Sequence, residues 1–205
     1  MLVPAERVVR WFENFGTRHG DPGLAVQRGR LVATAPDGAV AEAALPFARE
    51  YDGPPHVTSF ADAVGEPVRW GVLLVRKGGF AVAFGTGPEP WASKVGQRHV
   101  QGRTKAGGQS QQRFARRRDN QARQAYEAAA DHAHRILVLE AGGVDALVCG
   151  GDHAAVVAVL SDPRLAGPAA RRTEPWLAVP EPRRAVLDQA VADARSAAVT
   201  ITDPR

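Results

Sequence analysis

Gly107 and Gly108 are adjacent residues without Cβ atoms, and Gln109 follows them directly. Such a pair frees the backbone to adopt positive φ and to come close to a ligand. Lys94, Arg98, Arg103 and Lys105 precede the tripeptide, and Arg113, Arg116, Arg117, Arg118 and Arg123 follow it. Between residues 94 and 123 the only acid is Asp119, so this stretch carries +8 on a chain whose net charge is +4. A cationic stripe on an otherwise acidic body is the electrostatic footprint of a nucleic-acid partner. It is also what a solvated helix face looks like. Gly-Gly-Gln alone is equally compatible with a flexible loop. A helix capped by Ser110 would add its own partial positive charge beside Gln109.

Other residues offer less chemistry. Asp145, Asp152 and His153 could suggest a nuclease metal site. However, Asp152 reads as the cap of the next helix, and no further carboxylate appears at the usual strand positions. His132 and His134 are two apart on a helix, point to different faces and suit surface or cap roles. Trp11, Trp70, Trp91 and Trp176 read as core residues. No Walker or dinucleotide fingerprint is found, so neither metal nor cofactor is expected. The single cysteine, Cys149, excludes an intramolecular disulfide, and its Ala146-Leu147-Val148 setting suggests a buried strand thiol.

The elements that must position the tripeptide follow from periodicity. Val8, Trp11, Phe12 and Phe15 share one helical face, with Gly16 and Gly20 as stops. Residues 23–47 read as one or two short strands, and 48–67, with Gly53-Pro54-Pro55, Gly65 and Pro67, as an irregular connector. Trp70–Val75 and Phe80–Phe84 form a hairpin around Lys77-Gly78-Gly79, and a third extended segment covers 91–100. After a basic loop at 101–109, a helix of about 25 residues runs from Ser110, roughly 38 Å long. Its stripe is Ala122, Ala125, Tyr126, Ala129, Ala133, Ile136 and Leu137. A strand at 145–149, a helix at 152–160, a strand at 176–179, a helix after Pro182 and a strand at 199–201 complete the chain. Hydrophobic residues at 44% and charged residues at 23% describe an ordinary globular protein. Without a signal-peptide pattern or an apolar run of ~20 residues, a cytoplasmic protein without membrane contact is expected.

The longer string, Gly102-Arg103-Thr104-Lys105-Ala106-Gly107-Gly108-Gln109-Ser110-Gln111-Gln112-Arg113-Phe114-Ala115-Arg116-Arg117-Arg118, resembles the catalytic loop and basic helix of eukaryotic and archaeal class I release factors. Asp145 to Gly151 is similar to the buried strand and glycine turn of the same middle domain. Neither an Asn-Ile-Lys-Ser nor a Tyr-x-Cys-x-x-x-Phe signal for reading stop codons is present. The nearer resemblance is to stand-alone, Vms-type release-factor-like hydrolases of actinobacteria.

That resemblance implies a mixed β-sheet flanked by helices, RNase H-like and of the release-factor middle-domain type, over residues 68–205. Residues 1–67 would form an α+β extension, a possible recruitment element. It also implies a peptidyl-tRNA hydrolase that releases nascent peptides from stalled ribosomes or large subunits without a stop codon. Water would be positioned by Gln109, whose amide has no titratable lone pair to act as a base. Gly107 and Gly108 would let the backbone enter the peptidyl-transferase centre. Arg98, Arg103, Lys105, Arg113, Arg116, Arg117, Arg118 and Arg123 would contact rRNA or tRNA phosphates. The expected partners are the large subunit, its rRNA and peptidyl-tRNA, met by a monomer. Two alternatives stand beside this reading: a non-catalytic ribosome or tRNA adaptor, and a ribonuclease cutting the tRNA acceptor end.

Overall fold

The computed structural model describes residues 1–97 and 123–203, which divide into two compact units. The first comprises Met1–Pro67 with Val191–Arg205, and the second Val68–Ala190. No helix among the described residues is long and apolar enough to cross a membrane.

The first unit contains β1 (Leu2–Val3), α1 (Ala5–His19), β2 (Gly23–Gln27), β3 (Arg30–Thr34), β4 (Val40–Ala44) and α2 (Val57–Gly65). The last strand of the chain, β10 (Ala197–Thr202), completes it. These strands form one antiparallel sheet in the order β1-β10-β4-β3-β2. Val8, Phe12 and Phe15 are buried at helical spacing on α1. They pack with buried small sheet residues, among them Ala33, Ala41 and Ala43. Alanine on the sheet leaves room for phenylalanine from the helix, the large-against-small arrangement that close packing needs. Each such aromatic contributes roughly 1.5–3 kcal/mol by leaving water.

Two expectations are corrected here. Residues 48–67 are not wholly irregular: Val57–Gly65 is helical, with Phe60 and Val64 buried one turn apart. The glycines and prolines bracket this helix instead of interrupting it. Residues 191–205 do not cluster with residues 68–190 as the 68–205 boundary expected. β10 pairs with β4 from Ala198↔Ala44 to Thr202↔Val40, burying Ala197 and Val199 in the first unit.

The second unit holds β5 (Trp70–Arg76), β6 (Gly79–Gly85), β7 (Ala92–Gln97), β8 (Ala146–Gly151) and β9 (Arg172–Leu177). Its sheet order is β7-β6-β5-β8-β9. β6 pairs antiparallel with β5 and β7, whereas β5–β8 and β8–β9 are parallel. The fold is thus mixed α/β. β5 is buried at every residue from Trp70 to Val75, the continuous apolar run expected of a central strand covered on both faces. One face packs against α3 (residues 123–134, helical) and α4 (His153–Leu160), through Ala129, Ala133, Ala155, Val156 and Val159. α3 passes into a π-helical turn, Arg135–Glu140, that keeps Ile136 and Leu137 buried. Arg69 Nη2 donates to the carbonyls of Ala141 and Gly143, satisfying oxygens that this helix end leaves open. α5 (Ala166–Ala170) precedes β9, and α6 (Arg184–Ala194) follows it.

Two glycines are required by close approach. Gly151 has φ 95°, and a Cβ there would lie 2.3 Å from the Val75 carbonyl oxygen. A Cβ on Gly96 would meet the Phe80 ring, so β7 can lie beside that ring only as glycine. Gly96→Ala should therefore cost about 1–3 kcal/mol of stability, while Gly87→Ala, with open space around it, should be near neutral. Urea midpoints of the two variants check this. Equal midpoints would contradict the packing described.

Candidate functional site

Gly107, Gly108 and Gln109 lie outside the described residues, as do Arg98, Arg103, Lys105, Arg113, Arg116, Arg117 and Arg118. The expected cap at Ser110 and the first turns of its helix lie outside them too. Arg123 is the first described residue after that segment, and it is exposed. The described residues define the base from which the segment departs and to which it returns. In register, Arg76 faces Gly79, Gly79 faces Gln97, and Val75 faces Gly151. The chain therefore leaves β7 at the carboxyl end of the two central parallel strands. It returns at the same end, because Ala125, Tyr126 and Ala128 line a pocket of about 170 Å³ with Arg76, Gly79 and Gly96.

This end of the unit carries exposed cations beside Tyr126. Lys77, Lys94 and Arg123 are exposed, and none is in an ion pair among the described residues. Arg76 Nη1 donates to the Val179 carbonyl at 2.7 Å. Burial, and then the nearby negative charge of Asp152, raise the Tyr126 hydroxyl above its ordinary value, so it stays a phenol. In the sequence the basic stretch runs from residue 94 to residue 123. Arg76 and Lys77, at the β5–β6 turn, extend it. Arg76-Lys77 before Gly78-Gly79 was a visible turn signal, but only the strand register shows which end of the sheet that turn occupies.

Asp145 and Asp152 do not form a metal site. They stand at opposite ends of β8, whose six residues span about 20 Å. Asp152 instead accepts from the backbone N–H groups of Ala154 and Ala155, capping α4 as its sequence position suggested. Among the described residues no group of His, Cys, Asp and Glu is arranged to hold a metal ion. Cys149 is buried, and burial pushes its thiol up to about 12. The tryptophans divide. Trp70 is core, its Nε1 donating to the Gly87 carbonyl at 3.0 Å, and Trp11 is half-buried against Phe15. Trp176 is half-buried, but Trp91 is 72% exposed, correcting its expected place in the core. The turn after Pro88 and Pro90 leaves only its ring edge against Phe84, at 5.8 Å.

His132 stacks on Phe80, with ring centroids 5.3 Å apart. Burial, followed by the positive charges of Arg135 and Lys94, holds it below its ordinary value of 6.5. The unfolded chain then binds the proton more readily than the fold does. The contribution of His132 to stability is complete above pH 6.5 and is lost as pH falls below it. His132→Phe should flatten that loss between about pH 7.5 and about pH 5 in urea unfolding. An unchanged slope would contradict the assignment.

Residues 68–200 match the family model described as acVLRF1, the Actinobacteria/Chloroflexi VLRF1 release factor. Comparison with curated proteins gives no match. Among solved structures, the chain is similar to an archaeal translation termination factor, aRF1, at 15% identity and TM-score 0.45, over 79% of this chain and 48% of that one. A structure titled "Archaeal protein" matches at 16% identity and TM-score 0.39, over 80% and 51%. The chain thus spans about half the length of each structure.

Proposed function

The chain belongs to the VLRF1 release-factor family of Actinobacteria and Chloroflexi, and on that premise we propose that it is a peptidyl-tRNA hydrolase freeing nascent peptides from stalled ribosomes or large subunits without a stop codon. The observation that carries this reading is that the family match over residues 68–200 encloses an intact Gly107-Gly108-Gln109.

The ester between peptide and terminal adenosine is attacked by water. The Gln109 amide orients that water, and the Gln109 backbone N–H donates to the oxyanion as it develops. Gly107 and Gly108 admit the backbone to a crowded RNA site. Arg98, Arg103, Lys105, Arg113, Arg116, Arg117, Arg118 and Arg123 bind phosphates, giving affinity with little sequence preference. Lys77 and Lys94, exposed at the base of the segment, extend that surface. The partners are the large subunit, its rRNA and peptidyl-tRNA, and the protein acts as a cytoplasmic monomer.

Gln109→Ala should slow peptide release roughly 100-fold or more while leaving sedimentation with large subunits nearly unchanged. Arg116→Ala with Arg117→Ala should do the reverse, weakening binding more as salt rises. Equal loss of binding and release in Gln109→Ala would count against the assigned role.

A further inference from the structure

β9 joins β8 at Arg172 and Thr173 and again at Leu177, so Glu174, Pro175 and Trp176 leave the ladder as a bulge. Bulges of this kind re-aim side chains that a regular strand would direct elsewhere. Here the bulge sets Trp176 beside His153, the first residue of α4, with ring centroids 5.0 Å apart and ring planes at 38°. Glu174 is held in place, since its Oε2 accepts the Trp176 backbone N–H at 2.8 Å. Its second oxygen is left as an acceptor. Arg172 is exposed and in no ion pair among the described residues. With Thr173 these residues line a cleft of about 360 Å³. It adjoins His153, just past the carboxyl end of β8, the end of the sheet from which the chain leaves β7.

We propose that this cleft takes a single unpaired nucleotide of RNA, its base against Trp176 and His153, its phosphate on Arg172 and its amine donating to Glu174. An indole face beside a tilted imidazole, one exposed guanidinium and one anchored carboxylate match the three parts of a nucleotide: π-face, phosphate and exocyclic amine. The carboxylate favours adenine, cytosine and guanine, which carry an amine, over uracil. The inference rests on the reading that this protein works on RNA, and it adds a contact made by residues other than the Gly-Gly-Gln segment.

The full chain is titrated with a trinucleotide of adenosine, a trinucleotide of uridine and adenosine monophosphate. Trp176→Ala should weaken the adenosine trinucleotide by roughly 5-fold to 100-fold, and Trp176→Phe should recover most of it. Because Trp176 also packs on the core, two exposed positions provide independent tests. Arg172→Ala should lower the salt slope by about one, and Glu174→Gln should narrow the preference for adenosine over uridine. Unchanged affinity in all these variants overturns the cleft. Adenosine monophosphate binding as tightly as the trinucleotide, with the same variant dependence, overturns the RNA source in favour of a free nucleotide. Peptide release by the wild type is scored in parallel. Release with no effect of the cleft variants on trinucleotide binding removes this inference alone, and cleft-dependent binding without release removes the hydrolase reading alone.

Discussion

The parallel pairing of β5 with β8 is the constraint on which the second unit depends. Trp70 lies opposite Ala146 and Val75 opposite Gly151, although more than a domain's usual loop length separates the strands in sequence. Parallel neighbours cannot be joined by a tight turn. The chain leaves β7 at the Gly79 end of the sheet and must enter β8 at the Trp70 end, so it has to traverse the sheet. α3 with its π-helical turn does this, covering Leu73, Val82 and Leu147 as it goes. Residues 98–122, which contain the Gly-Gly-Gln tripeptide, separate β7 from α3 in sequence.

The two units bury apolar surface by different means. In the second, β5 and β8 are apolar along their length, and bulky aliphatic residues meet an alanine-lined helix face at Ala129, Ala130 and Ala133. In the first the roles are reversed, with alanines on the sheet and aromatics on α1 and α2. Both solutions let helix and sheet approach closely by setting small residues against large ones. In the second unit, packing of Ala129, Ala130 and Ala133 fixes α3, the described helix that follows the Gly-Gly-Gln segment in sequence.

Local signals made much of this legible. The hairpin around Lys77-Gly78-Gly79, the buried strand thiol of Cys149 and the Asp152 cap each depend on residues near one another in sequence, and each is found where its pattern placed it. Long-range choices were not legible. Val199 and its neighbours carry β propensity, but propensity does not name a partner strand, and β4 won the pairing. The short helix Val57–Gly65 was hidden because its breakers lie at its borders. The β9 bulge that brings Trp176 to His153 depends on register with β8, so the cleft had no signature in the chain. The release-factor family was legible as a resemblance in the string around the tripeptide, and the family match over residues 68–200 bears that resemblance out.

Ester hydrolysis at the peptide–tRNA junction leaves products that distinguish it from every alternative. Large ribosomal subunits would carry a tRNA labelled separately on its peptide and at its terminal adenosine, with no mRNA present. Adding the wild-type protein should yield free peptide together with full-length tRNA that can be charged again by its synthetase. A shortened tRNA would instead identify a nuclease, and intact peptidyl-tRNA on subunits that still hold the protein would leave a binding factor without chemistry.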